Sequence, residues 1–263
     1  FHKKAVFFDA DGTICDIEKG TPASAVEAIT KLVNNGHEAW LCTGRSRSFV
    51  PDYLEKIPFT GMITACGCTI EKNGERLFNK EMTPQQAWHS VEVLRRYGMV
   101  PVMEGADFMY YDKDEYHTGV NWYADLITKA LGNKWRPIKG FEQDLHINKV
   151  SSKILPGSSP EKACEELADY YEFIGHVGEG LAGDTIEMIP KGFSKAVGIA
   201  AVCRIFVREQ QQRSFHVRIC PDQDCHGKCS ARDQGTGRLC DQRYFPLRNT
   251  KWVRAFGINL RKY

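Results

Sequence analysis

The chain has 263 residues, 42% of them hydrophobic, enough for one large domain or two modest ones with a sizeable core. No apolar run approaches the roughly 18–20 residues that a membrane helix needs, and a formal net charge of +2 gives no overall pull toward nucleic acid or a lipid surface. A chain this long does not depend on disulfide staples, so its ten cysteines are read as thiols of a cytoplasmic protein.

The opening residues, Phe1-His2-Lys3-Lys4, lead straight into an apolar run and are read as a trimmed start without a signal peptide. That run, Ala5-Val6-Phe7-Phe8, predicts a buried parallel strand. Asp9-Ala10-Asp11-Gly12-Thr13 follows it, with two carboxylates at the end of the sheet where open α/β folds bind ligands. Asp9 and Asp11 offer hard oxygen donors to a shared cation, and Gly12 lets the chain turn sharply away. A polar strand-to-loop turn uses the same residue types.

Thr21-Pro22 then predicts a helix start, with Thr21 as N-cap and Pro22 in the first turn. Val26, Ile29, Leu32 and Val33 form its apolar stripe, and Asn35-Gly36 closes it. Glu38 to Cys42 predicts a second strand, ending in Thr43-Gly44-Arg45-Ser46. Thr43 supplies a hydroxyl, and Gly44 lets backbone N–H groups approach an anion.

Together the two loops resemble the haloacid-dehalogenase-like (HAD) phosphohydrolase superfamily, in particular its Cof-type branch. Its first motif is an apolar strand followed by Asp-x-Asp-Gly-Thr, and its second an apolar strand ending in Thr-Gly-Arg. The resemblance implies a Rossmann-like α/β core with a parallel sheet and an inserted α+β cap domain.

Residues 62–79 read as strand segments around an Asn73-Gly74 hairpin turn. Similar proteins carry Asn-Gly-Ala where this chain has Cys66-Gly67-Cys68, and the two thiols are read as packing residues. Thr83-Pro84 starts a further helix. Strands are expected at 100–103, 108–111, 151–155 and 185–189, with helices over about 119–131 and from Ser159-Pro160 to about Tyr171. The cap is placed at 81–186, with Glu104, Asp107, Tyr110 and His117 as candidate contacts. Core residues are placed at 1–80 and again at 187–203. There Pro190-Lys191-Gly192-Phe193-Ser194-Lys195 matches the family pattern Lys-Gly-x-Ser-Lys. Ser194 is the expected N-cap, Lys195 corresponds to the catalytic lysine, and Lys191 is the lesser candidate.

The resemblance stops after this point. A fourth motif, an apolar strand followed by Gly-Asp and Asn-Asp, has no counterpart after Lys195, and Gly183-Asp184 lies on the wrong side of the lysine. Residues 1–203 carry 22 Lys+Arg and 28 Asp+Glu, whereas 204–263 carry 13 and 5 together with four cysteines. One reading of this tail is a small zinc module, although the spacing of Cys220, Cys225, His226, Cys229 and Cys240 fits no common finger. The other is translation out of frame. In an adjacent frame, with suitable synonymous codons, Cys225 to Cys229 spells Ala-Met-Gly-Asn-Ala and Gln212-Arg213-Ser214 spells Asn-Asp-Leu, both in keeping with Cof-type ends. On this view the last core strand and helix are also missing.

The resemblance implies a magnesium-dependent phosphohydrolase of small phosphate monoesters, acting through an aspartyl-phosphate. Asp9 would be the nucleophile and Asp11 the acid and base, with both at the metal. Thr43, Gly44 and Lys195 would hold the phosphate. No nucleic-acid or membrane partner is expected, and this chain should be impaired for want of the fourth motif. The rival readings are a non-catalytic phosphate- or metal-binding protein and a phosphoryl-transferring mutase. If the tail is out of frame, the nucleotide sequence across codons 190–263 will encode a strand, Gly-Asp-x-x-Asn-Asp and Met-Gly-Asn-Ala in another frame. Frames full of stop codons would make the tail genuine.

Overall fold

Alternation in the first strand, β1 (Ala5–Asp9), buries Ala5, Phe7 and Asp9 and leaves Val6 and Phe8 half-buried. The protein is represented by a computed structural model that describes residues 3–15, 20–115, 121–176, 184–209 and 217–219. Its compact units are Phe1–Cys220 and Pro221–Tyr263, and all described residues lie in the first. Among them, no helix is long and apolar enough to cross a membrane.

After β1 come the helix α1 (Ala23–Asn34) and β2 (Glu38–Cys42), which is buried along its whole length. A short helix α2 (Asp52–Glu55) precedes β3 (Gly61–Thr64), β4 (Thr69–Lys72) and β5 (Glu75–Asn79). The turn between β4 and β5 uses Asn73 and Gly74, both at positive φ (51° and 82°), as the sequence pair predicts. The α1 start differs from expectation. Pro22 occupies the N-cap and no side chain caps the helix, so Thr21 does not play that part. At α3 (Pro84–Arg96) the cap is complete, with Thr83 and Gln86 closing a reciprocal capping box.

The middle of the chain continues with β6 (Met99–Glu104), β7 (Met109–Tyr110), α4 (Asn121–Leu131) and β8 (Trp135–Arg136). Next are β9 (Lys149–Ile154), α5 (Pro160–Leu167), β10 (Tyr171–His176) and β11 (Thr185–Pro190). Helix α5 stops four residues short of the expected end at Tyr171, because Tyr171 opens a strand that the sequence reading did not separate from the helix. The last elements among the described residues are α6 (Lys195–Glu209) and β12 (Val217–Ile219).

Two sheets result. In the first, the order is β12-β1-β2-β3-β4-β5, parallel from β12 through β3 and antiparallel beyond. Helix α6 covers one face, where Ile199, Val202 and Phe206 pack on Phe7, Trp40 and Ile63. Ile29, Leu54 and Ile57 cover Ala39 and Leu41 on the other face. The second sheet has the order β10-β11-β9-β6-β7-β8 and is antiparallel except for β7–β8. Helices α3 and α5 bury one of its faces against Met103, Val150 and Met188.

A strand, β12, does follow α6, while the rest of the tail, on which the expectation of a missing last core strand and helix falls, lies outside the described residues. Val217, Arg218 and Ile219 pair in parallel with Ala5, Val6 and Phe7, extending the first sheet beyond β1. Ladder hydrogen bonds are made by backbone groups, so a tail with an unfamiliar sequence can still fill that place.

Close backbone approach seats the start of α6. A Cβ on Gly67 would lie 2.5 Å from the Ser194 carbonyl oxygen, and one on Gly198 would lie 2.5 Å from Ile63 Cγ2 and 2.9 Å from Gly67 Cα. Gly198→Ala is therefore expected to lower stability by about 1–3 kcal/mol through overpacking, seen as a lower urea midpoint. Alanine is the better helix former by roughly 1 kcal/mol, so an unchanged or raised midpoint would show that the close approach carries no such weight.

Candidate active site

The register of β1 against β2 pairs Asp9 with Cys42, which sets the Asp9–Gly12 loop beside the Thr43–Ser46 loop. Gly12 turns the chain at φ 71°, a conformation that L side chains rarely adopt. Asp9 is only 7% exposed. Lys195, at the first turn of α6, donates from Nζ to Asp9 Oδ1 at 2.8 Å. The Ser194 hydroxyl accepts the Val197 N–H at 3.2 Å, capping the helix that carries this lysine. The contact joins two groups 186 positions apart in the sequence.

Asp11 meets Arg45, which sequence reasoning had placed in the second motif without a role. Arg45 donates from Nε and Nη2 to the two Asp11 oxygens, at 2.9 and 2.6 Å. This fork fixes orientation as well as charge. Burial would lower the Arg45 pKa, but Asp11 more than offsets that and holds it above the ordinary value. Burial, and then Asp11, push the neighbouring Cys15 thiol up, which keeps it protonated.

Thr43 is fully buried, and its Oγ1 accepts the Arg45 N–H at 3.2 Å. A Cβ on Gly44 would meet only Cys66 Sγ, at an ordinary 3.5 Å. Protein packing therefore does not require glycine there. Cys66 itself stands in the left-handed region (φ 53°, ψ 38°), next to Ala65 at φ 49°. Asparagine tolerates that region best among residues with a side chain, which suits the asparagine that the resemblance implies at this position. Burial pushes the Cys66 and Cys68 thiols up.

Lys149 reaches this site from the second sheet. It donates from Nζ to the Gly44 carbonyl oxygen at 3.1 Å and to Glu187 Oε2 at 2.8 Å, and lies 3.5 Å from Glu104 Oε1. Burial would lower its pKa, but Glu104 and Glu187 hold it well above the usual lysine range. No sequence signal distinguished this lysine, since a lone charge at the start of a strand reads as a solvated group.

The remaining candidates fall apart. Glu104 joins Lys149, whereas Asp107 pairs with Arg76 at 2.8 and 3.0 Å. Tyr110 is buried in the apolar cluster beneath the second sheet, and Lys191 is exposed. His117, like the cysteines from Cys220 onward, lies outside the described residues. A cavity lined by Lys3, His37, Glu38 and Lys72 opens at the amino ends of β1 and β2, the opposite end from Asp9. As metal donors, the Asp9 and Asp11 oxygens suit a hard cation such as magnesium. Among the described residues, no group of three or more His, Cys, Asp or Glu side chains gathers at one point to hold a metal.

A family profile described as haloacid dehalogenase-like hydrolase matches residues 6–213. YkrA of Bacillus subtilis (strain 168), a protein named as a phosphatase, is 36% identical over 64 residues. The 5-amino-6-(5-phospho-D-ribitylamino)uracil phosphatase YwtE of the same organism is 32% identical over 88 residues. These matches cover 24% and 34% of this chain and span only 25% and 30% of the two relatives.

Among solved structures, a hypothetical protein of Geobacillus kaustophilus HTA426 superposes with a TM-score of 0.62 at 20% identity, over 82% of this chain and 79% of that one. The HAD subclass IIB sugar phosphatase BT4131 gives 0.56 at 15% identity, over 82% and 80%. A Plasmodium vivax protein described as a HAD/COF-like hydrolase gives 0.61 at 18%, over 78% and 74%. At such identities the likeness establishes the fold. With a profile that spans most of the chain and takes in Asp9, Thr43 and Lys195, the chain belongs to the haloacid dehalogenase-like hydrolases, with the core-plus-insert fold of their Cof-like members.

Proposed function

We propose that the protein hydrolyses small phosphate monoesters, of the sugar or cofactor type, in the cytoplasm. The observation that carries this reading is the Lys195–Asp9 contact at the carboxyl end of β1, with the Asp11 and Thr43–Gly44 loops beside it. The names of YwtE, a phosphatase of a ribitylaminouracil phosphate, and of the sugar phosphatase BT4131 point to the same substrate class.

Asp9 attacks phosphorus through a carboxylate oxygen, the bond to the leaving alcohol breaks, and an aspartyl-phosphate forms. Asp11 must first leave the Arg45 fork and take up a proton from solvent; it gives that proton to the departing oxygen, then takes one from the water that attacks the phosphorus and regenerates Asp9. Thr43 and the Gly44 backbone hold phosphate oxygens, and Lys195 balances charge on the nucleophile and the transferring group. Magnesium, held by Asp9 and the Asp11 backbone carbonyl, would supply further charge neutralisation.

Because no Gly-Asp and Asn-Asp motif follows Lys195 in the sequence, the metal would be held by fewer carboxylates and turnover should be slow. Asp9→Asn is expected to abolish hydrolysis of p-nitrophenyl phosphate in magnesium, and Lys195→Ala to reduce it by about 10²–10³-fold. Chelation of magnesium should silence the wild type reversibly. Full turnover by Asp9→Asn in a mass-verified sample would overturn the nucleophile assignment. Fast transfer to an added alcohol in place of water would favour a transferase.

A further inference from the structure

Both faces of the second sheet carry apolar clusters, but the face turned from α3 and α5 is apolar only where Val100, Val102 and Met109 pack on Ala124 and Leu131 of α4, and it bears a polar patch beside them. Met103, Val150 and Met188 point into the cluster under α3 and α5. Glu104, Lys149, Ser151 and Glu187 alternate with them and so lie on the other face. Lys149 ties that face to the Gly44 loop.

Lys149 is 3% exposed, with Glu187 at 2.8 Å and Glu104 at 3.5 Å, so its single positive charge faces two carboxylates. The Ser151 hydroxyl also turns to Glu104. Burial would raise the Glu187 pKa, but Lys149 outweighs it and keeps this carboxylate ionised at neutral pH. Glu187 retains 30% side-chain exposure and His176 28%, with His176 Nε2 at 3.7 Å from Glu187 Oε1. Glu187 also feels the charge of Lys195. Lys153, two positions past Ser151 on the same strand face, has Asp184 as its counter-charge.

We infer that Glu187 and His176 form a leaving-group subsite that accepts an alcohol bearing further hydroxyl or ammonium groups and rejects one carrying a second anion. This rests on the phosphatase reading above. The cations at the floor of the site receive one phosphate, while the surplus carboxylate on the facing sheet repels another. Glu187 takes hydrogen bonds from hydroxyl or ammonium groups, and the His176 ring adds a polar partner beside it.

The test is binding, measured by calorimetry in magnesium on the full chain with Asp9→Asn to prevent turnover. A hexitol monophosphate is compared with the matching bisphosphate. The monophosphate should bind about tenfold more tightly or better, and Glu187→Gln should remove most of that preference. Glu187→Asp, which keeps the charge, should retain it. Equal affinities, no binding of the monophosphate, or an unchanged ratio in a folded Glu187→Gln protein would overturn the inference. If Glu187→Gln does not fold, ionic strength decides. A charge-based preference shrinks as salt rises, whereas one that persists in high salt refutes the subsite. Turnover of p-nitrophenyl phosphate by the wild type keeps the two readings apart. Its absence sinks the phosphatase reading even where the binding ratio holds, and its presence with no ratio sinks the subsite alone.

Discussion

Two glycines from distant parts of the chain meet where the β3–β4 loop touches the start of α6, and the site depends on that approach. Gly67 and Gly198 leave no room for a side chain on either. The helix can therefore come close enough for its first residue, Lys195, to reach a carboxylate fixed by a strand near the beginning of the chain. The same loop holds Cys66 in the left-handed region and places its sulfur over Gly44. One tight packing contact thus aligns the first, second and third motifs.

The resting electrostatics follow from that alignment. Each acidic group at the floor has a basic partner: Asp9 has Lys195, and Asp11 has Arg45. A ligand phosphate entering here must compete with carboxylates already in place for the same cations, which sets a threshold that a weakly charged molecule does not cross. The facing sheet solves a different problem. Lys149 is buried with its donors committed to protein oxygens, so it serves as an anchor between sheets, while Glu187 keeps an exposed edge.

The floor was legible in the sequence because its signals are local. A continuous apolar run followed by Asp9 and Asp11 marks a buried strand with a polar mouth, Thr83-Pro84 marks a helix start, and Asn73-Gly74 marks a hairpin. The roof was not legible. Lys149 and Glu187 acquire their meaning only when β9 lies between β6 and β11, a pairing that no short window of sequence specifies. Thr21 misled because proline in the next position took the cap itself, and Tyr171 because an apolar residue after a helix can end it or extend it. The left-handed turn at Cys66 was invisible for a simpler reason: cysteine carries no conformational signature.

β12 has a consequence for the molecule's behaviour in company. Its three residues lie along β1, the strand that delivers Asp9. Remove them and β1 becomes the border of the sheet, with a row of backbone donors and acceptors open to any passing strand. The segment with the least familiar sequence therefore shields the most functional strand from self-association. Three residues that carry no site side chain would thus guard the strand that delivers Asp9 against pairing with a second chain.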